Sequence, residues 1–75
     1  MNDAAIVRAS HPGIVTEVRR TTTGYAVYIR GRDRGGAVIN VLFVHTATVK
    51  PGQTVREGDG VGAYYTGNET EPKGE

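Results

Sequence analysis

The chain has 75 residues, no cysteine and a formal net charge of +1. A chain of this length forms one domain and buries only about 60% of the surface that its unfolded form exposes, so we expect oligomerisation to supplement its stability. The lack of cysteine excludes disulfides, thiolate metal sites and cysteine nucleophiles, and no apolar run approaches the roughly 20 residues of a membrane-spanning helix.

The first third of the chain predicts an edge strand and a hairpin. Residues 4–9 are apolar apart from one arginine, and they end at a Pro-Gly corner formed by Pro12 and Gly13. Apolar and polar residues then alternate on either side of a polar loop at residues 21–24, which predicts two antiparallel strands. We expect one strand to place Ile14, Thr16 and Val18 on one face and Val15, Glu17 and Arg19 on the other, and the next to separate Tyr25, Val27 and Ile29 from Ala26, Tyr28 and Arg30.

A second hairpin connection and a core strand are predicted next. Residues 31–36, with the sequence Gly-Arg-Asp-Arg-Gly-Gly, are polar and glycine-rich, as connections are. Residues 37–45 are apolar except for Asn40 and His45, which predicts a strand covered on both faces. In this register His45 shares a face with Ile39, Val41 and Phe43.

Residues 49–62 predict a small β unit with a glycine at each corner. Pro51 presets φ for a type II turn and Gly52 supplies its positive φ, and Gly58-Asp59-Gly60 repeats the turn signal seven residues later. The apolar positions of the unit are Val49, Val55 and Val61. Residues 63–65 then close the last strand.

The fold class that these patterns predict is all-β. No window has a helical period, and eleven glycines separate short β-branched stretches. We expect a small single-domain β-barrel or barrel-sandwich hybrid over residues 1–66. Residues 67–75 carry three glutamates and no apolar residue, so we expect a disordered acidic tail there.

Four segments together resemble the lysostaphin-type zinc endopeptidases of bacterial cell walls. They are HPGIVTEV at residues 11–18, GYAVYI at 24–29, VLFVH at 41–45 and the glycine-cornered unit at 49–62. In that family the strands GxV, GYGxxVxI and YxHL precede a VxxGxxVxxGxxIGxxGxTG segment. The resemblance covers residues 5–68 in order and spacing, and it implies a peptidase-like barrel with a glycine-cornered hairpin unit.

The zinc-binding motifs of that family are missing. The peptidases hold zinc with an upstream HxxxD motif and a downstream HxH motif, and this chain has neither. His45 matches the family's catalytic histidine that is not a ligand, and His11 matches an ordinary loop position. Because a catalytic zinc needs three protein ligands and the chain has two histidines in all, we expect no metal, no cofactor and no enzymatic activity.

Related barrel-sandwich proteins fit no better. Biotinyl and lipoyl carrier domains present a lysine at an exposed hairpin tip, whereas Lys50 directly precedes a Pro-Gly corner and Lys73 lies near the end of the chain. A phosphotransferase IIA protein needs a second histidine beside its active one, and His11 is the only other histidine. The remaining interpretation is a degenerate scaffold that binds something.

Candidate binding residues come from the charge pattern and the aromatic residues. Residues 19–34 contain five arginines and one aspartate, and arginine suits bidentate contacts with phosphate or carboxylate. The same arginines would also serve simply to keep a hairpin soluble, and a histidine on an apolar strand is commonly a core residue. The candidates are Arg30, Arg32, Arg34, His45, Tyr64 and Tyr65.

Three functions remain open at this point. The first is a non-catalytic binding module, encoded by a phage or mobile element and homo-oligomeric. The second is a protein that sequesters a phosphate-containing, nucleotide-type molecule, with arginines on the phosphates and tyrosines stacked on the base across a subunit interface. The third is a cell-wall binder that has lost hydrolysis. We expect the protein to lie in the cytoplasm of a bacterial host cell, with a small molecule or a protein as partner and no membrane or extended nucleic acid.

Overall fold

Seven strands form two antiparallel sheets in the computed structural model, which describes residues 4–65. The strands are β1 Ala4–Arg8, β2 Gly13–Arg20, β3 Tyr25–Asp33, β4 Gly36–Val44, β5 Thr46–Ala47, β6 Thr54–Val55 and β7 Gly60–Tyr65. One sheet has the order β4-β3-β2-β6, and the other has the order β1-β7-β5. The predicted all-β barrel-like fold is confirmed.

The β2–β3 hairpin forms where it was predicted, but its alternation is interrupted. Val15 pairs with Ile29 and Glu17 pairs with Tyr28, so Thr16 is an extra residue in a β-bulge. The extra residue reverses the faces, and Val18 contacts the core as Val15 does. The predicted grouping of Val15 with Glu17 and Arg19 is therefore wrong, since a bulge leaves no mark on the hydrophobic pattern.

The β3–β4 connection is much shorter than predicted. Strand β3 continues to Asp33 and β4 begins at Gly36, so only Arg34 and Gly35 lie in the turn. A side-chain oxygen of Asp33 accepts a hydrogen bond from the Gly35 N–H at 2.8 Å, and Gly36 has a φ of +113°. The positive φ of the glycine directly after Arg34 and Gly35 lets the chain return at once as β4, so the polar residues before the turn extend β3.

Strand β4 lies at the edge of its sheet and is not the covered core strand that was predicted. Ile39 is 69% exposed and Phe43 is 63% exposed, whereas Val44 is buried. The predicted register of His45 is also wrong, because the chain bends between β4 and β5 and buries His45 while Ile39 and Phe43 face solvent. A continuous apolar run cannot by itself distinguish a covered strand from an edge strand with one bare apolar face.

The glycine-cornered unit is confirmed, and it closes the core. Gly52 and Gly58 both have a φ of +91°. The unit is tied to the rest of the chain by paired backbone bonds: Val15 exchanges two with Gly52 and Gln53, and Ala9 exchanges two with Gly58 and Asp59, all between 2.7 and 2.9 Å. The buried core cluster contains Ala9, Val15, Val27, Ile29, Val44, Val49, Val55 and Val61.

No helix long and apolar enough to cross a membrane occurs within residues 4–65. The predicted domain end at residue 66 and the predicted disordered tail at residues 67–75 lie outside the described residues.

Candidate functional site

The six candidate residues fall into two groups at opposite ends of β3. Arg30 and Arg32 lie on β3 itself and Arg34 in the turn that follows, so Arg32 is on a strand and not in the connection predicted for residues 31–36. His45 lies against the other end of β3, where a side chain at Gly24 would come within 2.8 Å of the His45 Cα. From Tyr25, at the end of β3 near His45, Arg30 lies five residue steps and Arg32 seven steps along the strand, roughly 17 and 23 Å. A single chain therefore does not bring the arginines together with the histidine and tyrosines.

His45, Tyr64 and Tyr65 form one aromatic cluster. The Tyr65 backbone N–H donates to Nδ1 of His45 at 2.8 Å, and the His45 N–H donates to the Ala63 carbonyl at 2.9 Å. The His45 ring centroid lies 4.3 Å from that of Tyr64 and 5.6 Å from that of Tyr65. Since Nδ1 accepts a hydrogen bond, the ring hydrogen of neutral His45 is on Nε2. His45 is only 5% exposed, so Tyr64 provides most of the surface that this cluster offers to a ligand.

Arg30, Arg32 and Arg34 are exposed. Within residues 4–65 none of the three makes an ion pair or a side-chain hydrogen bond. Asp33 is adjacent in sequence to Arg32 and Arg34, and one of its oxygens already accepts the Gly35 N–H. Guanidinium groups without an intramolecular partner are available to an anion.

Arg19 shows the contrast with those three arginines. Its Nε donates to Glu17 at 2.8 Å, and its guanidinium carbon lies 5.6 Å from the centroid of the Tyr28 ring. The hydrogen bond and the negative charge of Glu17 raise the pKa of Arg19. Arg19 therefore has its partners within the same sheet.

Arg30 and Arg32 lie on the side of the four-stranded sheet that faces away from the core. We call this side the outer face. Ile14, Arg30 and Ile39 lie side by side in one row across β2, β3 and β4, as their pairing shows. All three are exposed. The outer face consists of Ile14, Glu17 and Arg19 on β2, Ala26, Tyr28, Arg30 and Arg32 on β3, and Ala37, Ile39, Val41 and Phe43 on β4.

The apolar half of the outer face was missed by reasoning from the sequence. Ile14, Ile39 and Phe43 were assigned to strands but not to a binding surface. The available signal was the two-sided apolar character of residues 37–44, which would be expected of an edge strand with a partner as well as of a core strand. Arg30 and Arg32 thus stand among exposed apolar side chains and not in a polar loop.

His11 was also not among the candidate residues identified from the sequence. It is 6% exposed, and its Nδ1–H donates to the Pro12 carbonyl at 2.9 Å. Its Nε2 is buried, and it has no hydrogen-bond partner among residues 4–65. The backbone approaches so closely here that a side chain at Gly31 would come within 2.8 Å of His11 Nδ1. Burial of a loop histidine depends on this close approach, which no local sequence pattern predicts.

The part of the chain that the structure describes contains no cluster of potential metal ligands. Residues 4–65 contain no group of three or more histidine, cysteine, aspartate or glutamate side chains that could hold a metal ion. The expectation that the protein binds no metal stays a prediction.

In comparisons with known proteins, no family model, no curated protein and no solved structure matches this chain. The resemblance to lysostaphin-type peptidases therefore stays a prediction from the four sequence segments.

Proposed function

We propose that this protein is a non-catalytic binding module that works as a homo-oligomer, with the outer face as its interaction surface. The observation that carries the proposal is the exposure of Ile39 and Phe43 on β4. Neighbouring exposed apolar side chains mark interaction surfaces, because leaving them in water costs free energy that an interface recovers. The scaffold of the module is a degenerate barrel that resembles a cell-wall peptidase.

The small core supports the homo-oligomeric part of the proposal. The largest fully buried side chains are one isoleucine and four valines, and no aromatic residue is among them. Valine contributes less buried apolar surface than the aromatic residues that dominate larger cores. A second copy would supply apolar burial that one chain lacks.

Light scattering tests this proposal directly. The wild-type protein should have the mass of two or more chains of 8.0 kDa. The double variant Ile39→Thr/Phe43→Thr should have a mass of 8.0 kDa, because threonine keeps the strand preference but removes the apolar groups. Ile6→Thr on β1 is the matched control, since Ile6 is 53% exposed on the other sheet and should leave the mass unchanged. A wild-type mass of 8.0 kDa at high protein concentration would refute the homo-oligomer.

A second candidate function is the sequestration of a phosphate-containing, nucleotide-type molecule. It is favoured by the absence of any acidic partner for Arg30, Arg32 and Arg34 within residues 4–65. Tyr64 and Tyr65 lie at the other end of β3, so a ligand held by arginines and tyrosines together would bridge two subunits. Native mass spectrometry of the protein as purified from cells would show a nucleotide-sized extra mass if this function holds, and a bare protein would count against it.

A further inference from the structure

We propose that β4 pairs with β4 of a second copy about a two-fold axis midway between the Asn40 residues of the two copies. The two four-stranded sheets then form one sheet of eight strands, with the order β6-β2-β3-β4-β4-β3-β2-β6. This inference rests on the homo-oligomer proposed above, and it names the partner and the contact.

Strand β4 is the longest open edge in the described part of the chain. It has nine residues, whereas the other edge strands β1, β5 and β6 have five, two and two. Its pairing with β3 is regular over all nine residues, while β1 has a register shift at Arg8. Short or irregular edges resist pairing with another chain, and a long regular edge offers a row of backbone donors and acceptors.

The composition of β4 permits it to pair with itself. Residues 36–44 contain no charged residue and no proline. Pairing about a two-fold axis brings the same strand against itself, so a charge near the axis would face an identical charge. Natural edge strands commonly carry lysine or proline to prevent this contact, and β4 carries neither.

The register follows from symmetry. A two-fold axis perpendicular to the sheet makes the two strands antiparallel and keeps both outer faces on the same side. Asn40 is the middle residue of the nine, so an axis there pairs the whole of both strands and adds roughly eight to ten backbone hydrogen bonds. Ile39 then lies opposite Val41 of the second copy, and Ala37 lies opposite Phe43 of the second copy.

This register also gives Arg32 a partner. Arg32 is beside Ala37 in the β3–β4 pairing, and Ala37 is small. Phe43 of the second copy is two strand spacings from Arg32, roughly 10 Å, and both long side chains can meet above Ala37. The guanidinium can lie over the phenyl ring in a cation–π contact, and the symmetry produces this contact twice.

Cysteine cross-linking tests the pairing and its register, because the natural chain has no cysteine to interfere. Paired residues of antiparallel strands have Cα atoms about 4.5 to 5.5 Å apart, which suits a disulfide. A mixture of the Ile39→Cys and Val41→Cys proteins, one of them with a size tag, should give the mixed disulfide under mild oxidation. Each variant alone should cross-link at least about tenfold less.

Each other outcome overturns a stated part of the proposal. Equal cross-linking by Ile39→Cys alone would move the axis away from Asn40 and overturn the register. A protein that light scattering shows to be oligomeric, but that forms no disulfide in the mixture, would overturn edge pairing and leave the homo-oligomeric module standing. A monomeric wild-type protein would refute both.

A charge on the edge provides an independent test. Ile39→Lys places a lysine beside the proposed axis and should convert the dimer to a monomer of 8.0 kDa. Ile6→Lys on β1 is the control, and it should remain dimeric. Circular dichroism of both variants shows whether the fold is retained, and a folded Ile39→Lys protein that remains dimeric would overturn the edge contact.

Discussion

The backbone N–H of Tyr65 donates to Nδ1 of His45 at 2.8 Å, and this bond joins β7 to the bend between β4 and β5. The bend is where the chain passes from one sheet to the other, so His45 connects the two sheets. His45 therefore has a structural role in joining the sheets, and its ring packs against Tyr64 and Tyr65.

Replacement of His45 should be costly, and asparagine should be a better substitute than alanine. His45→Ala leaves the Tyr65 N–H without its acceptor and removes the ring contacts, which together should lower the free energy of unfolding by about 3 kcal/mol. The side-chain oxygen of asparagine reaches about as far as Nδ1, so His45→Asn should recover about 1 kcal/mol of that loss. Urea unfolding of the three proteins measures both values, and equal losses would mean that the hydrogen bond contributes nothing.

Close packing at Gly31 should make alanine intolerable there. A Cβ at Gly31 would overlap the Pro12 carbonyl oxygen and come within 2.8 Å of His11 Nδ1. Because backbone atoms cannot move aside cheaply, Gly31→Ala should cost at least about 3 kcal/mol of unfolding free energy or prevent folding.

Gly35 provides the matched control for that change. Its nearest contact to an added Cβ is 3.5 Å away, and its φ is not in the left-handed region. Gly35→Ala should therefore change the free energy of unfolding by less than about 0.5 kcal/mol. Similar losses at the two glycines would contradict the packing of His11 and Pro12 against β3.

Replacing Gly52 by alanine should strain the backbone without creating a steric clash. A Cβ at Gly52 meets nothing within 4 Å, but φ is +91°. Gly52→Ala should lower the free energy of unfolding by about 1–2 kcal/mol, and Gly52→Asn by less, since asparagine tolerates positive φ better. Thermal unfolding of the two variants gives the order. A more stable alanine variant would show that the turn differs from the one described.

The features predicted correctly from the sequence are those that depend on nearby residues. Proline and glycine at residues 51 and 52 determine a turn locally, and the glycine at residue 58 repeats it, so both corners were identified. The edge position of β4 depends on which strands lie beside it, and the bulge at Thr16 depends on the partner strand. Neither is determined within one segment of the chain.

The candidate site was only partly predictable for the same reason. Arginines were recognised by type and spacing, but their distance from Tyr64 follows from the length of β3. Because β3 was expected to end before residue 31, Arg32 and Arg34 were assigned to the connection that follows it. The exposed apolar neighbours Ile14 and Ile39 become visible only when the strand pairing is known.

Arg30, Arg32 and Arg34 should determine any affinity of the protein for phosphate compounds. ATP as a probe should raise the melting temperature of the wild-type protein, because Arg30, Arg32 and Arg34 make no ion pair within residues 4–65. The Ala variant at all three positions should lose this rise while its melting temperature without ATP stays within a few degrees of the wild type. Added salt should also weaken the rise, since exposed charges are screened.

Arg56→Ala is the control for that experiment. Arg56 is an exposed arginine in the glycine-cornered unit, 4.0 Å from Asp59, and its loss should leave the effect of ATP unchanged. A rise that survives in the triple variant would place the phosphate site elsewhere. A wild-type protein that shows no rise with ATP, or with inorganic triphosphate in its place, would remove the sequestering function and leave the outer face as a surface for protein contacts.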